Sequence, residues 1–245
     1  MRRLPARNIV WASRLPTRHG LRNCAILFAV FLNAPAQGAD SSSDAPCPGA
    51  ASWKRGHPAL AEALPSDRDG DTAVADAALL SDLKARVETD QAARRKWLAD
   101  PKSKDLGRSV DAIDTANLTF LRKLIAEEGF PTAARVGKQG VHLAWVLLQH
   151  ADQDPKLQSE LLPVLQQRFS EGELPANDLA RFTDRILVAN GKPQRYGTQF
   201  DWFAGDFKLP EASRLAAIDI ERKQLGLMPL VDYACTIRAA RSKLK

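Results

Sequence analysis

The sequence has few cysteines and none of the common short motifs of catalysis or nucleotide binding. Only three cysteines occur among 245 residues, which excludes a disulfide-dense mini-protein. The chain contains no His-Glu-x-x-His, Cys-x-x-Cys, phosphate loop, dinucleotide fingerprint or Gly-x-Ser-x-Gly motif. Its histidines and cysteines do not have zinc-ligand spacing, so the sequence predicts no metal site and no cofactor. A hydrophobic content of 44% and a charged content of 26% exclude a disordered chain and a polytopic membrane protein.

Acidic residues are absent from residues 1–36, which contain six arginines. An apolar run over residues 24–32 follows the arginines, and Ala34 and Ala36 then have the spacing of a signal-peptidase site. The run is too short to cross a bilayer as a helix of the mature chain. We therefore predict a signal peptide over residues 1–36, cleavage near Ala36 and export to the periplasm or the medium. An uncleaved N-terminal anchor is the alternative interpretation.

The formal net charge of +6 at pH 7 comes from this arginine-rich segment. Without its six arginines, 29 of the 35 basic residues remain, and they balance the 29 acidic residues. A neutral mature chain has no broad phosphate-binding face, so we predict no nucleic-acid partner. We also predict no stable membrane span in the mature chain.

Two cysteines, Cys47 and Cys235, lie outside the predicted signal peptide. An even number of cysteines in an oxidising compartment is compatible with a disulfide that ties the start of the mature chain to its end. Cys47 lies in a stretch rich in proline, glycine and serine, so the alternative is that the two residues never meet. The sequence leaves both possibilities open.

The rest of the chain divides into a linker and one helical domain. Residues 37–72 carry turn formers and little apolar periodicity, which predicts a disordered linker. Over residues 73–245 apolar residues recur at helical spacing, without an internal repeat. We predict a mainly α, helical-bundle-like single domain of five or six helices. Glycines, aromatics and β-branched residues over residues 191–208 favour a small hairpin or an irregular loop.

Capping and breaking residues predict where several of these helices begin and end. Asp114 or Thr115 would cap one helix, and Gly129 would end it. Asp154 would cap the helix that follows the next one. Pro163 lies inside that helix and would kink or split it. Residues 226–229, with the sequence Gly-Leu-Met-Pro, would interrupt the last helical stretch.

His150 ends a segment that is apolar nearly all round and is therefore predicted to be buried. A buried imidazole needs hydrogen-bond partners, so His150 is either a satisfied core histidine or a functional base or ligand. Asp184 either forms a surface pair with Arg181 or is the carboxylate that orients His150. The sequence does not decide between the two interpretations of either residue.

Residues 194–199 form a third candidate, because they hold two amides, a phenol, a hydroxyl and a glycine within six positions. Gln194, Tyr196 and Gln199 supply the amides and the phenol. Such a loop can orient a polar ligand, or its side chains can satisfy the hydrogen bonds of its own backbone.

An ordered string of short motifs runs through the helical domain. It reads Asp90-Gln91-x-x-Arg94, Asn117, Gly129-Phe130-Pro131, Val136-Gly137, Ala144-Trp145, Gln149-His150-Ala151-Asp152, Gln158, Thr183-Asp184-Arg185, Gly191-Lys192-Pro193-Gln194, Tyr196-Gly197-Thr198-Gln199, Arg222, Gly226-Leu227, Pro229 and Tyr233. With this string the chain resembles a bacterial family known as domain of unknown function 6624. The resemblance covers about residues 80–240.

The resemblance implies an architecture and candidate positions, and it implies no established activity. Its polar positions are Asp90, Gln91, Arg94, Gln149, His150, Asp152, Asp184, Arg185, Gln194, Tyr196 and Gln199. His142 is not a motif position, which argues against a site with two histidines. The polar positions form either a structural network or a cleft that contains His150, Asp184, Arg185 and the loop amides.

We carry two hypotheses of function from the sequence. In the first, the exported domain binds a small polar ligand or a cell-envelope partner, with a polar site around His150, Asp184, Arg185 and the loop of residues 196–199. Asp90, Arg94, Gln149, Asp152 and Gln194 are further candidate ligand-binding residues. In the second, the protein is an exported hydrolase or transferase that uses His150 as general base, oriented by Asp184. A purely structural role is the remaining possibility.

Overall fold

The computed structural model describes residues 47–58, 74–200 and 209–242. Within these ranges the chain forms eight α-helices and no strand. They are α1 (Pro48–Gly56), α2 (Ala77–Ala99), α3 (Lys104–Glu128), α4 (Ala133–Gln149), α5 (Pro155–Ser170), α6 (Ala176–Ala189), α7 (Ala212–Gln224) and α8 (Leu230–Ser242). The mainly α class is confirmed. The predicted number of five or six helices is wrong, because α1 lies in the expected linker and the last helical stretch forms two helices.

Side-chain caps begin several helices. Asp154 accepts a hydrogen bond from the backbone N–H of Leu157 at 3.0 Å, as predicted for the start of α5. Asp76 caps α2 in the same way. The helix α3 begins at Lys104, ten residues before the predicted cap at Asp114, because Ser103 accepts from the N–H of Leu106. Asp114 consequently lies inside α3, where its side chain is available for tertiary contacts.

Helix ends and breaks follow the glycines and prolines in most places. Gly129, with φ of 77°, ends α3, and residues 226–229 separate α7 from α8, as predicted. Pro163 does not split α5, which runs from Pro155 to Ser170 as one helix. A single proline removes one N–H donor, and the other turns of α5 keep their hydrogen bonds.

The helix α4 is the centre of the hydrophobic core. Eight consecutive residues from Val141 to Leu148 are buried, with Trp145 and Leu148 fully inaccessible. The helices α2, α3 and α6 all pack against α4. This arrangement brings the polar face of α2, the middle of α3 and the end of α4 to one place in the fold. None of the described helices is long and apolar enough to cross a membrane.

The segment predicted as a disordered linker is helical over residues 48–56. Pro48 begins α1, Ala50 is buried, and α1 packs against α8. Cys47 and Cys235 form a disulfide, with their Cα atoms 5.8 Å apart. Of the two possibilities left open by the sequence, the structure has the one in which these cysteines pair. The predicted signal peptide over residues 1–36 and the rest of the predicted linker lie outside the described residues, apart from residues 47, 57 and 58.

Residues 191–200 form an irregular segment without strands, while residues 201–208 lie outside the described residues. Over residues 191–200 the chain therefore forms the irregular loop, which is one of the two structures predicted for this segment. Gly197 has φ of 67°, and a Cβ atom at this position would lie 2.8 Å from a methyl carbon of Leu230 in α8. Only glycine combines this backbone conformation with so close an approach.

We expect Gly197→Ala to lower the free energy of unfolding by about 2–4 kcal/mol, because left-handed strain and overpacking against Leu230 add together. Urea denaturation measures this loss. The matched control is Gly191→Ala, which has the same left-handed strain (φ of 66°) but open space around its Cβ position. Equal losses in the two variants would contradict the close packing of the loop on α8.

Candidate functional site

His150 is the C-cap residue of α4, and it is 3% exposed. Its Nδ1 lies 3.1 Å from Oδ2 of Asp90 on α2, a residue that is only 1% exposed. The packing of α2 against α4 brings these two residues together across 60 positions of sequence. A carboxylate at Nδ1 fixes the orientation and the tautomer of the imidazole ring.

Asp90 is the centre of a buried hydrogen-bond network. Arg94, one helical turn further along α2, donates from Nε to Oδ1 of Asp90 at 3.0 Å, and Gln91 donates to Oδ2 at 2.7 Å. Burial alone would raise the pKa of Asp90, but the charge and hydrogen bond of His150, together with Arg94, hold this pKa well below its usual range. Asp90 is therefore ionised at neutral pH.

Asp114 on α3 joins the same network through Arg94, whose Nη2 donates to Asp114 Oδ1. The other oxygen of Asp114, Oδ2, accepts no hydrogen bond from the part of the chain that the structure describes. Burial raises the pKa of Asp114 above its ordinary value, and Asp90 adds to this rise, although Arg94 and His150 oppose it. Two carboxylates thus share one guanidinium group, whose side chain is only 5% exposed.

Asp152 and Arg185 form a second polar pair beside His150. Arg185 donates from Nε to Asp152 Oδ1 at 2.8 Å and from Nη2 to Oδ2, a bidentate geometry. Gln158 holds the turn after α4 by donating to the carbonyl oxygens of Leu148 and Gln149 at 3.1 and 3.3 Å. Gln149 Nε2 lies 3.4 Å from His150 Nε2. The turn that carries His150 and Asp152 is therefore held by Gln158 through its backbone and by Arg185 through the side chain of Asp152.

A cavity of about 910 Å³ opens onto this network. Its inner wall contains Arg94, Asp114 and His150, and Trp97 contributes an aromatic surface. Three exposed cations, Lys102, Lys104 and Arg108, lie at its mouth. The remaining lining residues are Pro101, Ser103, Gly107, Val110, Asp111, Asp152, Gln153, Pro155 and Ala189.

Asp184 does not orient His150, so this prediction is wrong. Asp184 is fully buried, and it accepts hydrogen bonds from the backbone N–H groups of Arg195, Tyr196 and Thr198 and from the hydroxyl of Thr198. Burial raises the pKa of Asp184, while these hydrogen bonds lower it by a smaller amount. The carboxylate holds the irregular loop on α6, and Asp90 occupies the position beside His150 that was predicted for Asp184.

The side chains of this loop satisfy the loop's own backbone and that of α6. Gln194 and Gln199 form two reciprocal hydrogen bonds at 2.8 Å, and Gln199 also donates to the carbonyl oxygen of Arg181. Arg222 donates to the carbonyl oxygen of Tyr196 at 2.7 Å. None of Gln194, Tyr196 and Gln199 lines the cavity beside His150. These hydrogen bonds are the ones expected from the second of the two interpretations drawn from the sequence, in which the side chains satisfy the loop's own backbone.

The structure thus divides the predicted site into two parts. Around the cavity it brings together Asp90, Arg94, Gln149, His150, Asp152 and Arg185, and around the loop it brings together Asp184, Gln194, Tyr196 and Gln199. Asp114 was missed as a site residue, since nothing in its sequence neighbourhood relates it to Asp90 or His150. The spacing of Asp90 and Arg94 by four residues was the one local signal that these two share a helix face.

His142 forms a separate buried pair. Its Nδ1 lies 2.6 Å from Oδ2 of Asp178 on α6, and its ring stacks on Trp145 at 5.5 Å between centroids. Neither His142 nor Asp178 lines the cavity. The structure therefore agrees with a site that contains a single histidine.

Comparison with known proteins identifies a family but no activity. A family model described as a family of unknown function (DUF6624) matches residues 77–244. No curated protein and no solved structure matches the chain. The matched residues include every helix that lines the cavity.

Proposed function

We propose, for a chain that belongs to this family of unknown function, that the helical domain binds a small polar ligand in the cavity beside His150. The observation that carries this proposal is the cavity itself, which reaches a buried and fully oriented set of polar side chains. Its volume of about 910 Å³ lies within the range of about 300–1,000 Å³ typical of small-molecule sites. A site held by Asp90, Arg94 and Asp114 needs little rearrangement to receive a ligand, which favours affinity.

The distribution of charge supports a ligand with both acidic and hydrogen-bond-donating groups. Lys102 and Lys104 at the mouth attract an anionic group such as a carboxylate or a phosphate, while Arg108 beside them is paired with Asp105. Asp114 Oδ2 at the inner end is an acceptor, so it favours an amine or a hydroxyl of the ligand. Amino acids, short peptides and sugar phosphates have this combination of groups.

We further propose that the domain acts outside the cytoplasm. The disulfide between Cys47 and Cys235 supports this, because disulfides persist in oxidising compartments and are rare in the cytosol. The arginine-rich, acid-free start of the chain followed by a short apolar run also supports it. Expression of the full chain followed by fractionation and N-terminal sequencing tests this part of the proposal, with an N-terminus near residue 37 as the expected result.

A cavity-filling variant tests the ligand site. Gly107 lies on α3 in the cavity wall, and a Cβ atom there would only touch Trp97 at 3.8 Å, so the fold tolerates a larger side chain. We expect amino acids, dipeptides or sugar phosphates to raise the melting temperature of the wild-type protein, since a ligand at 100 times its Kd adds about 2.7 kcal/mol of stability. We expect Gly107→Leu to abolish this shift while retaining the helical circular dichroism spectrum.

The matched control is Gly56→Leu at the end of α1, where a Cβ atom would meet nothing within 4 Å. This variant is expected to respond to the ligands as the wild type does. The proposal fails if no compound of the panel shifts the melting temperature, or if Gly107→Leu binds as tightly as the wild type.

A further inference from the structure

Three metal-ligating side chains from three different elements meet at the inner end of the cavity. They are Asp90 of α2, Asp114 of α3 and His150 at the end of α4, and one ligand atom of each lies within 4.8 Å of the others. We propose that these three residues bind one divalent transition-metal ion of the Zn²⁺ or Mn²⁺ type. This proposal rests on the proposed function, because the ion would lie at the inner end of the ligand cavity and would contact the ligand there.

The spacing of the donor atoms fits a metal centre. Metal–ligand bonds of about 2.0–2.2 Å place neighbouring donor atoms about 2.8–3.6 Å apart, the shorter value for octahedral and the longer for tetrahedral angles. His150 Nδ1 and Asp90 Oδ2 are 3.1 Å apart, which already satisfies this condition. One carboxylate oxygen of Asp114 lies within 4.8 Å of the ligand atoms of Asp90 and His150, so Asp114 reaches the same ion only if its carboxylate moves inward.

The balance of charge favours a cation at this position. Asp90 and Asp114 contribute two negative charges and Arg94 one positive charge, while Asp152 and Arg185 neutralise each other. Binding of an ion through Nδ1 requires a neutral imidazole, and the group then has an excess of one negative charge, which is costly at Asp90 because this residue is only 1% exposed. A divalent ion converts this excess into one positive charge, which an anionic group of the cavity ligand then compensates.

The surrounding hydrogen bonds would hold the ligand carboxylates in place. Arg94 bonds Oδ1 of both Asp90 and Asp114, so the ion would bind through Oδ2 of each carboxylate. Oδ2 of Asp90 also accepts a hydrogen bond from Gln91 Nε2, so the ion would take the second lone pair of this oxygen. A ligand set of one imidazole and two carboxylates suits Zn²⁺ and Mn²⁺, whereas Mg²⁺ and Ca²⁺ prefer sites made of oxygen alone.

Isothermal titration calorimetry on the folded, disulfide-bonded protein after dialysis against EDTA tests the proposal. We expect Zn²⁺ or Mn²⁺ to bind with one ion per chain and to raise the melting temperature, and Mg²⁺ to do neither at the same concentration. Asp114→Asn should weaken this binding at least 100-fold. The variant keeps an acceptor for Arg94 at Oδ1, so its circular dichroism spectrum and cooperative unfolding should be unchanged.

The matched control is Asp111→Asn, which lies one turn earlier on α3, lines the same cavity and does not belong to the three residues. It should bind the ion as the wild type does. His150→Gln provides a second variant that should lose the ion. The absence of binding by the EDTA-treated wild type, or an equal loss in Asp111→Asn and Asp114→Asn, would overturn the proposal.

The result also separates this proposal from the function on which it rests. Binding of an amino acid, dipeptide or sugar phosphate by EDTA-treated protein that takes up no ion overturns the metal site and leaves the ligand cavity. Uptake of one ion that Asp114→Asn abolishes, with no response to the compound panel, supports the metal site and overturns the proposed polar ligands.

Discussion

Asp184→Ala is expected to lower the free energy of unfolding by about 3–5 kcal/mol, one of the two largest effects among the substitutions considered. The carboxylate of Asp184 is fully buried and accepts four hydrogen bonds, three of them from backbone N–H groups at 2.7–3.0 Å. Its removal leaves these donors without an acceptor in a region that water does not fill easily, and each such donor costs about 1–3 kcal/mol. Chemical denaturation monitored by circular dichroism measures the loss.

Two further variants separate the role of the carboxylate from that of the loop side chains. Thr198→Val removes only the hydroxyl hydrogen bond, so a loss of about 1 kcal/mol is expected. Asp184→Asn keeps the shape but brings an NH₂ group against N–H donors, so its loss should lie close to that of Asp184→Ala. A loss below 1 kcal/mol in Asp184→Ala would show that the loop does not depend on this carboxylate.

Removal of the disulfide between Cys47 and Cys235 is the second large effect that we expect. The bridge joins residues separated by 188 positions, and the chain-entropy model gives a stabilisation of up to about 5 kcal/mol for so long a loop. Cys47→Ser with Cys235→Ser should therefore lower the melting temperature by about 10–20 °C, since 1 kcal/mol corresponds to about 2–4 °C for a domain of this size. Differential scanning calorimetry measures the change.

A reductant supplies the control for this experiment. Dithiothreitol should lower the melting temperature of the wild type to that of the double serine variant, and it should not affect the variant itself. Identical melting temperatures of reduced and oxidised wild type would mean that the attachment of α1 to α8 contributes nothing to global stability. The same loss should appear in each single cysteine variant, because either substitution opens the bridge.

Local features of the sequence predicted the helical framework well. Asp154 caps α5 and Gly129 ends α3 because a cap requires only a side chain and a backbone conformation within one turn of the helix. The interruption at residues 226–229 follows from the proline and glycine in that segment. The predicted cap of α3 at Asp114 lies eleven residues after the actual cap, Ser103, although Leu106, Val110 and Ile113 already have helical spacing.

The location of the site was predicted in part. His150 was identified as a polar residue at the end of an apolar helix, and it does lie at the inner end of a cavity. Asp184 was one candidate for its carboxylate partner, but Asp90 is the residue that contacts it. The two aspartates are equivalent in sequence terms, since both occur in a polar motif on a helix. Only the packing of α2 on α4 distinguishes them.

The sequence by itself determined the helical class, most helix boundaries, membership of a family and the polar residues from which a site is built. Each of these depends on interactions between residues a few positions apart, or on an ordered string of motifs. The tertiary structure decided which polar residues meet: Asp90 with His150 across 60 positions, Asp114 with Arg94 across 20, and Cys47 with Cys235 across 188. Such contacts depend on how the helices pack in three dimensions, and that packing is set by the whole core and not by the residues that meet.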